Sequence, residues 1–164
     1  LTTLDENIRR KLEPRTVSGK KRLEVIQQLS ENKIPVNAML APIIPGLTSH
    51  EIPALMKAAS EHGASSAAYT IVRLNGSIGE LFTDWVEDAF PNQAGKILRQ
   101  IRECHQGKLS DSRFGKRGRG DGIVANHIRQ LFAVSRQKYF PENEFPILNV
   151  EAFKREGGNQ LSIW

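Results

Sequence analysis

The strongest constraint on what this chain can fold into is residues 18–76, where helical and strand-like patterns alternate and the strand-like pieces are almost wholly apolar. Ser18 precedes a stretch in which Leu23, Ile26 and Leu29 recur on one face while Lys20, Lys21, Gln27 and Gln28 fall elsewhere, which predicts a helix ending near Asn32 or Lys33. Residues 34–41 form an apolar run of strand length, punctuated by Pro42, Pro45 and Gly46. Thr48-Ser49-His50-Glu51 then has the Thr-x-x-Glu spacing of a capping box, and Ile52, Leu55, Met56 and Ala59 supply the apolar stripe of a second helix. Pro53 is tolerated in its first turn, and Gly63 suits its C-terminal end. A second strand is expected over residues 67–74, stopped by Asn75-Gly76. Near-continuous apolar strands joined through helices are the pattern of βαβ units, so the fold class expected is α/β, with a parallel sheet covered by helices. Leu1 to Leu4 reads as the tail of one more strand, and the expectation is that an N-terminal portion precedes it.

Beyond Gly76 the alternation stops. Helical patterns follow over residues 81–90 with Trp85 and Ala89, 91–105 with Ile97 and Ile101, and 123–139 with Ile128, Leu131 and Phe132. Three stretches are therefore expected: residues 1–76 as strands and helices of an α/β sheet, 77–140 as a helical extension with a basic Gly/Arg loop at 107–122, and 141–164 as an irregular tail. With 39% hydrophobic and 25% charged residues, 164 residues suffice for one ordinary core. No run reaches the roughly 18 apolar residues of a membrane span, and the first residues have neither a basic nor an apolar leader pattern, so a cytoplasmic location and no membrane partner are expected.

Cys104 is the single cysteine, which excludes an internal disulfide and any thiolate cluster built from this chain alone. Its recurrence with Ile97 and Ile101 marks it as a small core residue. His105 adjoins it, but His50, His62 and His127 show no ligand spacing, so no metal site is expected. There is no phosphate-binding loop, no dinucleotide fingerprint and no nucleophile elbow; Gly118, Gly120 and Gly122 are wrongly spaced and follow no strand. No catalytic residue is assigned.

Three features remain that could carry chemistry. The turn at residues 41–48 joins a strand's carboxyl end to a helix start, where open sheets and barrels place ligand contacts, though a plain connection has the same composition. Arg73 is the one charge in an apolar octapeptide, which either an ion pair or the strand-end crevice explains. Residues 110–122 hold Arg113, Lys116, Arg117 and Arg119 around Phe114, with Asp111 and Asp121 cancelling half the charge; phosphate contact and a solvated loop both fit. The net charge of +5 favours polyanions, but is ordinary in proteins that bind none.

Taken in order, Leu1-Thr2-Thr3-Leu4-Asp5, Leu12-Glu13-Pro14-Arg15, Arg22-Leu23, Ile34-Pro35-Val36, residues 41–48 and His50-Glu51-Ile52 resemble the radical S-adenosylmethionine proteins grouped with the DNA-repair photolyase-like (spore photoproduct lyase-related) family. Tyr69 with Arg73-Leu74, residues 109–115, and Gln160-Leu161-Ser162 resemble later signatures of one subgroup. The resemblance implies the C-terminal part of a partial (β/α) TIM-like barrel with parallel strands, followed by a helical extension. It also implies, in the intact parent, a [4Fe-4S] cluster on an upstream CxxxCxxC loop, which cleaves S-adenosylmethionine to a 5′-deoxyadenosyl radical. No CxxxCxxC occurs in residues 1–164, so this segment is expected to be inactive alone, with neither cofactor bound to it.

By the same resemblance, Thr2 and Thr3 end a strand near the cofactor's ribose or methionine end, Pro42, Ile43 and Ile44 lie near its adenine, and Arg73 faces cofactor or substrate. The partner expected first is the missing N-terminal half of the same chain; nucleic acid is a candidate substrate through Arg113, Lys116, Arg117 and Arg119. The isolated segment is expected to self-associate. The rival from another class is a basic α/β module that binds nucleic acid through those four residues and performs no chemistry. A third, a small-molecule site in a complete α/β domain, requires Leu1 to be the native start.

Overall fold

A computed structural model describes residues 1–141. It is α/β: six α-helices and a two-stranded parallel sheet among the described residues. Helix α1 (Glu6–Leu12), which the sequence reading does not anticipate, starts at Asp5, whose carboxylate accepts from Asn7 N and Ile8 N at 2.7 and 3.1 Å. Helix α2 (Gly19–Glu31) is capped by Ser18 as expected, its hydroxyl accepting from Lys21 N at 3.2 Å. Strand β1 (Asn37–Ile43) lies two to three residues later than the apolar run suggests. After a 3₁₀ turn at Ser49–Glu51 come α3 (Ile52–Glu61), β2 (Ser66–Ile71), α4 (Ile78–Ala89), α5 (Ala94–Cys104) and α6 (Gly122–Tyr139). Gly63 follows α3 with φ +85°, the left-handed geometry that suits glycine there.

One local expectation fails. Thr48 and Glu51 do not form a capping box: the Thr48 hydroxyl accepts from Ile44 N at 2.9 Å, and Glu51 reaches back to the chain start, accepting from Thr3 Oγ1 at 2.5 Å and Leu4 N at 2.8 Å. Other donors take both acceptors because buried polar groups need partners. Helices cover one face of the sheet. Ala38, Leu40, Ala67 and Tyr69 are buried, whereas Asn37, Met39 and Thr70 on the alternate face are exposed, Met39 by 48%. Side chains alternate across a strand, so the period-2 exposure of β1 identifies one face under helices and one more open, on which Ser66 of β2 is nevertheless buried.

The strands pair with Ala38 opposite Ala67 and Leu40 opposite Tyr69, and the register shifts between Leu40 and Ile43, where the Ala41–Pro42 peptide is cis. Pairing persists past β2, as Val72 N donates to Ile43 O at 2.9 Å. On β1's other edge, Leu1 N donates to Met39 O at 2.7 Å and Leu1 O accepts from Ala41 N at 3.2 Å. Those two bonds straddle Leu40 in the pattern of a parallel ladder, as a preceding strand tail would make.

The buried side chains fall into two groups. One unites the helix-covered face of the sheet with α2, α3 and α6 through Leu23, Ile26, Leu40, Leu55, Met56, Ile128 and Phe132, and includes Cys104. The other gathers beyond the strands' carboxyl ends, where Ile44, Leu47, Val72 and Leu74 meet α4 and α5 through Phe82, Val86, Ile97 and Ile101. The segment after Gly76 is thus integral to both: α4 and α5 close the strand ends, and α6 returns to the sheet.

Candidate functional site

Parallel strands place all their carboxyl ends on one side, and there the residues of interest gather: Thr2 and Thr3 after Leu1, Ile43 at the end of β1 and Ile44 after it, Arg73 after β2. The connection leaving β1 is closed on itself. Ile44 O accepts from Leu47 N and Thr48 N at 3.1 and 2.9 Å, and Gly46 turns the chain at φ +78°, where a Cβ would come within 2.8 Å of Gln100 Oε1 on α5. Glycine is favoured there by the dihedral, since the close atom is the mobile end of the Gln100 side chain and the α5 backbone stands at 3.5 Å. Ile43 and Ile44 are 2% and 1% exposed, so their side chains are core, and Pro42 is the half-buried member of the trio.

The two threonines are buried and already hydrogen-bonded. The Thr2 hydroxyl lies 2.9 Å from Glu13 Oε1 and 3.2 Å from Ala41 O, while Thr3 donates to Glu51 and accepts from Asp5 N at 3.0 Å. Burial alone would raise the Glu13 carboxyl, but the bond from Thr2 and the Arg22 guanidinium at 2.8 Å prevail and hold it below its ordinary value. The threonines therefore fix the strand end to α1 and the turn before α3. The sequence gives little warning of this, because Glu13 and Glu51 are distant in the chain.

Arg73 is half-buried and forms no ion pair among the described residues. With the Asn75 amide oriented so that its nitrogen meets Ser110 Oγ, the amide oxygen accepts from Arg73 Nε and Nη2, both at 3.2 Å. A guanidinium held by a neutral amide keeps donors for an anion. A cleft of about 450 Å³ begins at the next residue, Leu74, and is bordered also by Glu80, Thr83, Asp84, Lys108 and Ser110; Arg73 itself does not line it.

The basic loop is docked rather than solvated throughout. Gly118 O accepts from Ile71 N at 2.8 Å, beyond the β1 pairing, and Asp121 N donates to Cys104 O at 2.9 Å. Arg113 clasps Asp111 through Nε and Nη2, the latter at 2.6 Å, and its backbone N–H adds a third partner at 2.9 Å. That side-chain clasp, then the backbone bond, pulls the Asp111 carboxyl down to about 2. Lys116 approaches Asp121 at 3.5 Å, and Arg119 lies over the Tyr69 ring at 4.7 Å. Of the four cations singled out, Arg117 alone shows no partner among the described residues, and the neighbouring Phe114 is 93% exposed. The Asp-x-Arg spacing of residues 111 and 113 was the readable sign of the clasp.

His105 is 1% exposed, its Nε2 2.7 Å from Val72 O, a core role that the sequence does not signal. No group of His, Cys, Asp and Glu among the described residues could hold a metal ion, and no described helix is long and apolar enough to cross a membrane. The signature at residues 160–162 and the tail at 142–164 lie outside the described residues. No protein-family model matches the chain, and neither a curated protein nor a solved structure matches it significantly.

Proposed function

We propose that this chain supplies the closing strands, part of the cofactor pocket and the C-terminal helices of a radical S-adenosylmethionine enzyme, a partial (β/α) barrel whose earlier strands lie upstream in a longer protein. The observation that carries the reading is the parallel pairing of Leu1 onto the free edge of β1, in the order Leu1, β1, β2, with every strand end on one side. Helices on one face and exposed Asn37, Met39 and Thr70 on the other fit a barrel wall, whose inner face meets the strands across from it.

The residues here fit the cluster and the sulfonium cofactor unequally. Cys104 is fully buried, and burial pushes its thiol up to about 11, so it is no ligand and the cluster cysteines belong to another segment. Arg73 fits the cofactor's carboxylate, and half-buried Pro42 fits contact with a base. Thr2 and Thr3 hold the strand end in place instead of offering free hydroxyls. When bound together, the cluster and S-adenosylmethionine supply a radical that abstracts hydrogen from substrate; this chain's part is to orient and shield.

The test is anaerobic reconstitution of the longer protein with iron and sulfide, followed by addition of S-adenosylmethionine and dithionite as the one-electron reductant and assay for methionine and 5′-deoxyadenosine. Formation of those products, with an Arg73→Ala variant that needs more S-adenosylmethionine for half-maximal rate, supports the reading. A longer protein that takes up no cluster contradicts it. The exposed Phe114 beside the unpaired Arg117 favours a second reading, a nucleic-acid-binding module without chemistry. Salt-dependent DNA binding by this chain, lost when Arg113, Lys116, Arg117 and Arg119 are neutralised, would favour it.

A further inference from the structure

A groove of about 560 Å³ runs between β2 and α6, away from the strand ends, and is bordered by Asn37, Tyr69, Arg119, Arg129, Phe132 and Gln137 among others. Its polar groups share one character. Among the described residues, Arg129 meets only the neutral Asn126 amide, Nη1 to Oδ1 at 2.6 Å. Arg119 is held over the Tyr69 ring and makes no ion pair with a described residue. No Asp or Glu is among the described residues of the lining. Guanidiniums facing one groove with no carboxylate among its described lining residues repel each other, and the repulsion is relieved when an anion enters.

The wall holds a second, independent sign. Tyr69 borders the groove and is 2% exposed, and its hydroxyl, itself shut off from solvent, has no hydrogen-bond partner among the described residues. A buried phenol with nothing to donate to is costly, and a ligand acceptor that displaces the groove wall enough to reach it would supply what it lacks. Its ring packs on Phe132 with centroids 4.5 Å apart, which fixes the phenol's position, while Arg119 on its other contact is fixed by the ring. Arg136 also borders the groove and has contacts of its own.

We infer that this groove is a phosphate-binding site, in which Arg119 and Arg129 hold the phosphoryl oxygens, the Tyr69 hydroxyl donates to one of them, and the volume admits a ligand of nucleotide size. The site stands apart from the radical reading, because all its groups belong to this chain. A phosphate monoester and the phosphodiester backbone of a single strand offer the same oxygens, so the experiment has an arm for each.

Calorimetric titration of the full 164-residue chain with adenosine 5′-monophosphate, and separately with a short single-stranded oligothymidylate, is compared with sodium chloride at matched ionic strength. Saturable binding of either ligand is expected, weakened roughly tenfold by Arg129→Gln, the loss of one charge-assisted contact. Tyr69→Phe is expected to weaken binding severalfold while the melting temperature stays equal or rises, since the variant removes an unsatisfied hydroxyl and keeps the ring. Binding of the monophosphate identifies a monoester site, and binding of the oligomer alone identifies the backbone; both support the inference. Absence of saturable binding of either, or wild-type affinity in both folded variants, overturns it.

Discussion

Asp111 and Cys104 show how far single environments depart from what residue type suggests. The Arg113 clasp holds the Asp111 carboxyl near 2, below the ordinary 3.8, so its ionised form is favoured in the folded chain. A depressed folded value contributes stability above the ordinary value, which is lost as pH falls from 3.8 toward about 2. Asp111→Asn is therefore expected to lower stability at pH 7 and to flatten its fall across that window, as measured by urea melts at successive pH values. Cys104 is displaced the other way: burial, then the charge of Glu103, raises its thiol to about 11. The native chain should leave it unmodified by a thiol reagent at pH 8 on a timescale in which the urea-unfolded chain reacts completely. Rapid native-state labelling would contradict the burial described.

At the scale of elements, α1 buries none of its residues fully and is tied to the rest by the half-buried Ile8 and Leu12 and by Lys11, which meets Ala89 O, Trp85 Nε1 and the Phe90 ring. Asp5→Ala removes the acceptor for Asn7 N and Ile8 N and is expected to cost about 1 kcal/mol in denaturant melts. Ile97, 0% exposed on α5, is a different case, and Ile97→Ala should cost about 2–5 kcal/mol. Those two elements also separate what was legible from what was not. The helix containing Ile97 could be read because its apolar positions recur with helical period, and α2 because Ser18 precedes such a stripe. Helix α1 could not: Ile8 and Leu12 are its sole apolar positions, too few to set a period, and Asp5 stands before no apolar stripe. The end of β2 is misread by three residues for a related reason: apolar character continues through Val72 and Leu74 because α4 and α5 bury those residues beyond the strand. Thr3 and Glu51 defeated sequence reasoning altogether, since a bond spanning 48 positions leaves no local pattern, and its formation displaced the capping box that the local pattern suggested.

For the whole molecule, the sheet's two faces are the governing asymmetry. The helix-covered face is closed by Leu40, Leu55, Met56 and Phe132, whereas Met39 and Thr70 look out from the other and β1's far edge is paired through Leu1 alone among the described residues. An open edge beside an uncovered face invites a second copy, so this chain is expected to self-associate, with a weight-average mass in sedimentation equilibrium that climbs with concentration. A Met39→Lys variant should shift that equilibrium toward monomer; a monodisperse monomer across the concentration range would contradict the expectation. The same asymmetry underlies the proposal of a barrel wall, which places the iron-holding strands ahead of Leu1. The most direct test is to determine the coding sequence immediately upstream of the codon for Leu1. The account predicts an open reading frame that continues upstream and contains three cysteines spaced CxxxCxxC; a frame that begins at this leucine, or one that extends upstream without that trio, contradicts it.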